Sequence, residues 1–303
     1  MYYKARLVLC TPICRIINSC LIKCQFPKVW KKAHICPVPK SSPPSLDRLR
    51  PISLLPVPSK ILEKVVLKHF ADKFTSCYGD NQFAYRQNSS TCCALIYLHD
   101  IISRHLDDSN TAAVVMLSWD YSRAFDRIDH VMLLQKLADY GFPDNFVLFI
   151  ADYISDRFQA VKYGDAVSEY LPVSSGVPQG SVLGPALFCV FASTLCSRDE
   201  LTEMVKYADD TQTLSLIRKG NIKNDIQKLI NCINNVRQWS KDNQLSLNNE
   251  KTKAVILRRS KCATFTMKDI DASICEVNVL KILGVTFNNS LTWSHPYCLV
   301  QSR

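Results

Sequence analysis

The apolar run AAVVMLSW (112–119) constrains the fold of this chain more than any other stretch of the sequence. The run is dense in apolar and β-branched side chains, and it ends abruptly at Asp120. A short run of this kind predicts a strand that is buried on both faces. Asp120 is therefore predicted to lie at the end of a buried strand.

A second acidic feature is the doublet Asp209–Asp210 in YADD (207–210). The doublet lies between the runs MVKYA and TQTLSLI, which predicts a β-hairpin with both carboxylates at its tip. Adjacent like charges repel each other unless a cation lies between them. A solvated turn is the alternative interpretation, because Asp is a common turn residue.

If the strand before Asp120 and this hairpin are neighbours in one sheet, three carboxylates meet at one end of it. Carboxylate oxygens suit the hard cation Mg²⁺, which takes its remaining ligands from water and from substrate phosphates. Two such ions, ~3.5–4 Å apart, can bind the attacking and the leaving oxygen of a phosphoryl transfer. The acidic residues therefore predict a metal-dependent site, provided that the strands converge.

The rest of the chain predicts helices and strands in irregular alternation. Helices are predicted from Pro58 with Ser59 as the cap, over 88–106 with Ser89 or Ser90 as the cap, over 130–141 with Gly141 at the end, from about Ser181, and over 221–243. Strands are predicted over FQAVKY and SEYLPV, which flank GDAV as a hairpin, and over 252–257 and 277–287. The absence of a regular βαβ rhythm predicts an α+β fold with a largely antiparallel sheet.

Composition and charge narrow the class of protein. The 303 residues suffice for one large domain or two lobes, and a hydrophobic fraction of 47% argues against a disordered chain. Lys and Arg exceed Asp and Glu by 37 to 27, and the net charge of +10 fits a nucleic acid or another polyanion as partner. Residues 170–197 carry no charge, but only SVLGPALFCVFASTLCS is continuously apolar, which is shorter than the ~20 residues that span a bilayer. A buried helix is predicted there.

The fourteen cysteines include no CxxC pair, so the usual zinc-finger spacing is missing. Cys10, Cys14, Cys20 and Cys24 would share one face of a helix, where a metal site is the alternative to buried thiols. Because no secretory signal is recognisable, all fourteen are predicted to be reduced thiols of an intracellular protein, in the nucleus or the cytoplasm.

Three segments in a fixed order carry a family resemblance: WDYSRAFDRIDHVMLLQKLADYG (119–141), SSGVPQGSVLGPALF (174–188) and KYADDTQ (206–212). Together they resemble the reverse transcriptase domain of non-LTR (LINE-type) retrotransposons, in particular Jockey-like elements. The resemblance extends from about Phe26 to Trp293. Further matching segments are FPKVWKKAHICPVPK (26–40), LRPISLLPVPSKILEKV (49–65), QFAYRQNSST (82–91), WSKDNQLSLNNEKTKAVIL (239–257) and LKILGVTF (280–287).

The resemblance implies a right-hand polymerase with fingers and an antiparallel palm sheet. It implies RNA-directed DNA synthesis, in which a primer 3′-hydroxyl attacks the α-phosphate of a dNTP and expels pyrophosphate. The implied partners are an RNA template, a DNA primer and dNTPs, and the implied cofactor is a pair of Mg²⁺ ions, with Mn²⁺ as a substitute. By position, Asp120, Asp209 and Asp210 match the metal-binding aspartates, and the backbone carbonyl of Tyr121 is a further ligand candidate.

The resemblance also implies roles for residues outside this acidic set, and each has a structural alternative. Lys251 matches a general acid that protonates pyrophosphate; its alternative is a surface ion pair. Phe125 matches a steric gate that excludes a 2′-hydroxyl; its alternative is core packing, and the neighbouring Asp126 is interpreted as a structural carboxylate. Gln179 and Gly180 match a loop that contacts the dNTP and the template; their alternative is a simple turn. Arg50, with Lys40 and Arg48, matches residues that neutralise the triphosphate; the alternative is a solvated basic loop.

Two further matches concern the nucleic acid. Arg86 matches a contact with template or nucleotide, although Ala84 replaces the usual Gly, and Leu283, Gly284 and Val285 match a primer grip.

The resemblance divides the chain into three segments. Residues 1–25 are predicted to be a partial N-terminal helical segment, 26–290 the fingers and palm, and 291–303 the truncated start of the connection to a thumb that is largely missing. The alternative function is an inactive fragment of a retroelement that retains only nucleic-acid binding. A group II intron-type maturase is a third interpretation, for which the sequence shows no maturase-specific region.

Overall fold

The structure is a computed structural model that describes residues 2–39, 49–197 and 199–291. Numbered along the chain, its helices are α1 (Tyr2–Lys23), α2 (Val57–His69), α3 (Ala71–Cys77), α4 (Thr91–Asp107), α5 (His130–Asp139), α6 (Asp144–Ile154), α7 (Gly184–Phe191), α8 (Ile222–Asp242) and α9 (Met267–Ile270). Its strands are β1 (Lys32–Pro39), β2 (Leu49–Leu54), β3 (Thr111–Trp119), β4 (Arg157–Tyr163), β5 (Ala166–Val167), β6 (Leu171–Val173), β7 (Thr202–Tyr207), β8 (Asp210–Arg218), β9 (Lys253–Arg258), β10 (Cys275–Glu276), β11 (Val279–Ile282) and β12 (Val285–Asn288).

The chain forms two compact units, and each is assembled from two separate stretches of sequence. The first unit consists of Met1–Tyr78 and Arg123–Ser193, and the second of Gly79–Ser122 and Thr194–Arg303. Each unit contains both helices and a sheet, and most strand pairs are antiparallel. The predicted α+β class is therefore confirmed.

The first unit combines a sheet in the order β2-β1-β4-β5, with β6 also paired to β4, and a helical core. The rings of Phe70, Phe74, Phe142 and Phe146 contact one another with centroids 4.3 to 6.0 Å apart. Aromatic side chains bury large apolar areas, so this cluster packs α3 against α6. All residues of α7 except Pro185 are buried, which confirms the predicted buried helix.

The second unit is built around a five-stranded sheet in the order β10-β9-β3-β8-β7. The central strand β3 is antiparallel to both β8 and β9, and each of its residues except Ser118 is buried. Val114 and Met116 pack in an apolar cluster with residues of α4, and the alternate positions Val115 and Leu117 are equally buried. Because alternate side chains of a strand point to opposite faces, both faces of β3 are covered, as the sequence predicts.

The helix ends follow ordinary capping chemistry. The Ser90 hydroxyl accepts a hydrogen bond from the Cys93 amide at the start of α4 (3.3 Å), which confirms the predicted cap. The Asp129 carboxylate accepts one from the Met132 amide at the start of α5 (2.8 Å). Gly141, which was predicted to end this helix, has a φ of +70° that favours glycine.

Two local predictions are wrong, and one predicted helix begins slightly later than expected. Residues 277–287 are not one strand but the antiparallel strands β11 and β12, because Leu283 and Gly284 take positive φ values of 48° and 90° and form the turn between them. Ser59 does not cap α2: the helix begins at Val57, and the Ser59 hydroxyl is buried inside it. The helix predicted from about Ser181 begins at Gly184.

The cysteine-rich helix α1 has a mixed surface. Cys20 is buried, but Cys10 and Cys14 are exposed, so the prediction of buried thiols is wrong for these two. The cysteines in the described ranges are free. Within those ranges, none of the helices combines the length and apolar character that crossing a membrane requires.

Candidate active site

The register of the central strands determines where Asp120 lies. Strand β3 pairs with β8 so that its last residue, Trp119, is opposite Thr211. Asp120 follows Trp119 directly, and Asp210 directly precedes Thr211. Neighbouring residues of paired strands are only a few ångströms apart. Asp120 and Asp210 therefore lie at the same end of the sheet, on adjacent strands.

The turn between β7 and β8 brings Asp209 to this end of the sheet. Tyr207 pairs with Asp210, which leaves Ala208 and Asp209 as the two turn residues. Ala208 has a φ of +57°, a left-handed conformation that residues other than glycine adopt at a cost. Two-residue hairpin turns of this kind require a positive φ at the first central position. Asp209 is half-buried and Asp210 is exposed.

Gln82 holds this turn in place, and the sequence analysis did not identify it. The Ala208 amide donates to Gln82 Oε1 (3.0 Å), and Gln82 Nε2 donates to the Ala208 carbonyl (3.4 Å). The Gln82 side chain is 1% exposed, and its Oε1 also accepts from the Ala84 amide (3.0 Å). The only sequence signal was its place in the segment QFAYRQNSST, because the contact joins residues 126 positions apart.

Lys251 contacts the carboxylate of Asp120. Its Nζ lies 3.3 Å from Asp120 Oδ2, and the Asp120 carbonyl accepts a hydrogen bond from the Asn248 amide (2.8 Å). The side chains of Lys251 and Asp120 are 62% and 36% exposed, so the pair contributes little to stability. The surface ion pair that was the alternative for Lys251 is thus present, and it brings a cation to the acidic end of the sheet.

The acidic residues have the donor chemistry of a divalent-cation site, although their side chains are not gathered into one. Within the described ranges, no three His, Cys, Asp or Glu side chains are grouped so that they could hold a metal ion. Carboxylate oxygens are the ligands that hard cations prefer. The ammonium of Lys251 against Asp120 shows that this end of the sheet accommodates a positive charge.

Tyr121, directly after Asp120, points its ring into the protein. It is 7% exposed, and its ring lies 6.2 Å from the Trp239 ring in an edge-on contact. Burial raises the pKa of the Tyr121 hydroxyl above its ordinary value. Its backbone forms an isolated bridge with Leu247. The side chain is therefore a packing group, and the role predicted for Tyr121 concerns its backbone carbonyl alone.

The other predicted residues of the second unit are engaged within that unit. The half-buried Arg86 donates from Nη2 to the Gly79 carbonyl. Leu283 and Gly284 form the β11–β12 turn, and Leu283 and Val285 pack against the apolar cluster that contains α4.

In the first unit, Gln179 and Gly180 lie against strand β2. The Ser53 amide donates to the Gln179 carbonyl (2.7 Å). Gly180 has a φ of +113°, and a Cβ atom there would lie 2.8 Å from the Ser53 carbonyl oxygen. Only glycine fits so close an approach. Arg50 belongs to the same strand and is exposed, whereas Lys40 and Arg48 lie outside the described residues.

Phe125 lies in a 3-10 turn, Ala124–Arg127, of the first unit. Its ring stacks on Phe188 of α7, with centroids 4.5 Å apart and an interplanar angle of 22°. The Phe125 carbonyl accepts a hydrogen bond from the Val177 amide (2.8 Å). The core packing that was the alternative for Phe125 is thus observed, and the residue is half-buried, so part of its surface remains accessible.

A buried carboxylate, Glu63, is the other residue that the sequence analysis missed. It lies in α2 with no exposed surface, and it accepts hydrogen bonds from Ser59, Tyr153 and two backbone amides. A sequence signal existed, because Glu63 falls four residues after Ser59 and three before Val66, on the apolar face of the helix.

Comparison with known proteins identifies the family. Residues 38–287 match the family model described as reverse transcriptase (RNA-dependent DNA polymerase). The chain belongs to this family, and within it the chain is homologous to the polymerases of non-LTR retrotransposons. Reverse transcriptase domains generally use divalent metal ions.

Two relatives from Drosophila melanogaster illustrate the similarity. The RNA-directed DNA polymerase from mobile element jockey is 31% identical over 300 residues, which cover 94% of this chain and 32% of that protein. The probable RNA-directed DNA polymerase from transposon BS is 30% identical over 299 residues, which cover 92% of this chain and 32% of that protein. The chain thus spans about a third of the length of these relatives.

The fold is similar to that of telomerase. The apo telomerase from Candida tropicalis aligns with a TM-score of 0.59 and 13% identity, over 87% of this chain and 48% of that one. The same enzyme truncated from its C-terminal domain aligns with a TM-score of 0.56, over 87% of this chain and 55% of that one. At this identity the likeness concerns the fold alone, which is that of polymerase fingers and palm.

Proposed function

We propose that the chain catalyses RNA-directed DNA synthesis. One observation carries the proposal: in a member of the reverse transcriptase family, the β3–β8 register brings Asp120 and Asp210 to one end of a sheet whose adjoining hairpin turn contains Asp209. In this reaction a primer 3′-hydroxyl attacks the α-phosphate of a dNTP and pyrophosphate leaves. The net charge of +10 suits a partner with a phosphate backbone.

The three aspartates are proposed to hold two Mg²⁺ ions, with Mn²⁺ as a substitute. Bound there, such ions would neutralise the charge that develops on the attacking and leaving oxygens. The carboxylates supply the negative charge, and the Tyr121 carbonyl is a further candidate ligand. Lys251 is proposed to turn from Asp120 toward the leaving group and to donate a proton to pyrophosphate as a general acid. Its exposure leaves the ammonium free to turn.

Residues of the first unit are proposed to bind the nucleotide. Arg50, together with Lys40 and Arg48 from the preceding segment of the sequence, would neutralise the triphosphate, because a guanidinium binds phosphate oxygens through two hydrogen bonds. Gln179 and Gly180 would contact the dNTP and the template, and the glycine lets this loop lie close against Ser53 of β2. Phe125 would exclude ribonucleotides by contact with the 2′ position of the sugar.

The nucleic acid would be contacted by other residues. The template is proposed to meet Arg86, and the primer the β11–β12 turn at Leu283, Gly284 and Val285. The relatives are named RNA-directed DNA polymerases, which supports an RNA template and a DNA primer. Such a protein would act in the nucleus or the cytoplasm.

Primer extension tests the proposal. The purified chain is mixed with a primed RNA template, dNTPs and either Mg²⁺ or EDTA, and product length is measured. We expect extension that depends on Mg²⁺ and that falls about 100-fold or more in Asp209→Ala, because this variant lacks one of the proposed metal ligands. Since each 1.36 kcal/mol is tenfold in rate, this fall corresponds to about 2.7 kcal/mol or more of lost transition-state stabilisation. Asp100→Ala, an exposed aspartate of α4, is the control and should extend normally.

Three results would contradict the proposal. Normal synthesis by Asp209→Ala would show that Asp209 is not required for the reaction. Extension that persists in EDTA would show that metal ions are not required. Binding to the primed template that weakens with salt, but without any extension, would leave a nucleic-acid-binding protein without polymerase activity.

A companion experiment addresses Phe125. Phe125→Ala should incorporate ribonucleotides more readily, whereas Phe125→Tyr, which keeps the ring, should discriminate as the original chain does. Unchanged sugar selectivity in Phe125→Ala would contradict the role as a steric gate. The ring would then serve only to pack against Phe188.

A further inference from the structure

The Glu63 carboxylate is the most deeply buried acidic group near the Gln179–Gly180 loop of the first unit. Its residue is 0% exposed. A charged carboxylate without water is stable only when hydrogen-bond donors surround it. Glu63 has four: Oε1 accepts from the Ser59 hydroxyl (2.8 Å), and Oε2 accepts from the Tyr153 hydroxyl (3.2 Å), the Val182 amide (2.7 Å) and the Leu183 amide (3.1 Å).

The two amides that donate to Glu63 lie where the chain enters helix α7. Val182 and Leu183 directly precede α7, and the first amides of a helix have no partner within the helix. Hydrogen bonds from such amides to a carboxylate are charge-assisted, and a negative charge at a helix N-terminus is favourable. Glu63 therefore fixes the chain at its entry into α7, two residues after Gly180.

The same loop has further contacts, which include backbone hydrogen bonds and the approach of His130 Nε2 to the Gly176 carbonyl (2.8 Å). The Gly176 amide donates to the Ile128 carbonyl (2.8 Å), and the Ser53 amide donates to the Gln179 carbonyl (2.7 Å). The loop backbone is thus held by hydrogen bonds both before and after Gln179. The contact with Glu63 is made by a side chain from outside the loop, so a substitution can remove it without altering the loop sequence.

We propose that Glu63 is a positioning residue for nucleotide binding. Its carboxylate holds the Val182 and Leu183 amides and thereby sets the position of Gln179 and Gly180. The inference rests on the proposed function, in which these two residues contact the nucleotide. Because Glu63 acts through the loop and not on the reacting atoms, its loss should weaken dNTP binding more than it slows the chemical step.

Four substitutions separate this role from a general contribution to stability. Glu63→Ala leaves the Val182 and Leu183 amides without this acceptor. Glu63→Asp keeps the charge but shortens its reach by one methylene group. Glu63→Gln keeps an oxygen for the amides, and the Ser59 hydroxyl can rotate to accept from the new NH₂ group. Ser59→Ala is the matched control, because it removes a donor to Glu63 but leaves the amide contacts intact.

The experiment measures primer extension against dNTP concentration for these variants of the full chain, with circular dichroism and thermal melting as checks of folding. Glu63→Ala should raise the KM for dNTP by about tenfold or more and change kcat by less than about threefold, since the loss of even one of the two charge-assisted hydrogen bonds to the loop amides corresponds to about tenfold. Glu63→Asp should lie between Glu63→Ala and the original chain. Glu63→Gln and Ser59→Ala should stay within about threefold of the original chain for both constants.

Amide hydrogen exchange gives a second readout that needs no activity. The Val182 and Leu183 amides should exchange faster in Glu63→Ala, but not in Ser59→Ala. If the original chain extends no primer, the proposed function fails, while the exchange data still decide whether Glu63 holds the loop. A folded Glu63→Ala with unchanged KM would overturn the inference, as would a Glu63→Gln as impaired as Glu63→Ala. If Glu63→Ala does not fold, an unchanged KM in Glu63→Asp overturns it instead.

Discussion

The ion pair between Arg218 and Asp225 should be a main support of the sheet that carries the acidic residues. Arg218 ends β8, and Asp225 lies in the first turn of α8. Asp225 is 1% exposed, and it accepts hydrogen bonds from the Arg218 backbone amide (2.9 Å), Nε (3.0 Å) and Nη2 (2.7 Å). Asp225→Ala would remove all three contacts and leave a partly buried guanidinium without its partner.

The expected loss of stability in Asp225→Ala follows from the burial of the two side chains. Breaking a buried pair by removing one partner costs ~3–5 kcal/mol. The Arg218 side chain is 30% exposed and can regain some hydration, so the free energy of unfolding should fall by about 3 kcal/mol, the lower end of that range. The matched control is the pair Arg104–Asp100, with side chains 64% and 56% exposed, where Asp100→Ala should cost about 0.5 kcal/mol or less.

The contribution of this ion pair to the free energy of unfolding should change with pH in a definite direction. Burial raises the pKa of the Asp225 carboxyl, but the hydrogen bonds and charge of Arg218 outweigh burial and hold this pKa below its ordinary value. A lowered folded-state pKa stabilises the protein above the unfolded-state value, and the contribution is lost as the pH falls through the folded-state pKa. The difference between the original chain and Asp225→Ala should therefore be full at neutral pH and shrink in acid.

Urea unfolding followed by circular dichroism, repeated at decreasing pH, measures both effects. A loss in Asp225→Ala no larger than that in Asp100→Ala would refute the reasoning from burial. A difference that stays constant into strong acid would refute the assignment of the ion pair as its cause.

Other substitutions test other features. Gln82→Ala leaves the amide and carbonyl of Ala208 without their side-chain partner, so we expect a loss of about 2–4 kcal/mol in urea unfolding and slower primer extension; an unchanged unfolding midpoint would contradict this. Gly176→Ala would place a Cβ atom 2.6 Å from backbone atoms at a φ of +82°, so it should lower the melting temperature strongly, whereas Gly220→Ala, where the Cβ meets nothing within 4 Å, should not. Burial lowers the pKa of Lys136 to about 8, so stability should rise with pH between that value and the ordinary lysine pKa; Lys136→Met should abolish the rise, and a rise that survives in this variant would point to another group.

The sequence predicted the elements whose signal is local. The run before Asp120 is a buried strand and the run around Asp209 is a hairpin, because side-chain polarity alone determines which faces of these strands can be buried. The prediction of one strand over 277–287 failed because its apolar pattern continues through the turn. Leu283 is apolar in sequence but adopts a left-handed backbone that no pattern of polarity reveals.

The residues that the sequence analysis missed depend on distant contacts. Gln82 acts on Ala208, and Glu63 acts on Val182 and Leu183, across more than a hundred residues in each case. A polar side chain that is buried against backbone groups has no periodicity of its own, so only the fold reveals its partners. The exposure of Cys10 was missed for a related reason, since spacing alone does not tell which face of a helix is covered.

The discontinuous make-up of the second unit has a consequence for biosynthesis. Strand β3 leaves the ribosome roughly 90 residues before β8 begins, which at ~5–20 residues per second is a delay of about 5 to 20 s. During that interval AAVVMLSW has neither of its sheet neighbours, and an unpaired apolar strand is prone to pair with other nascent chains. Yields of intact protein should therefore depend on chaperones that shield this strand until the later half of the unit arrives.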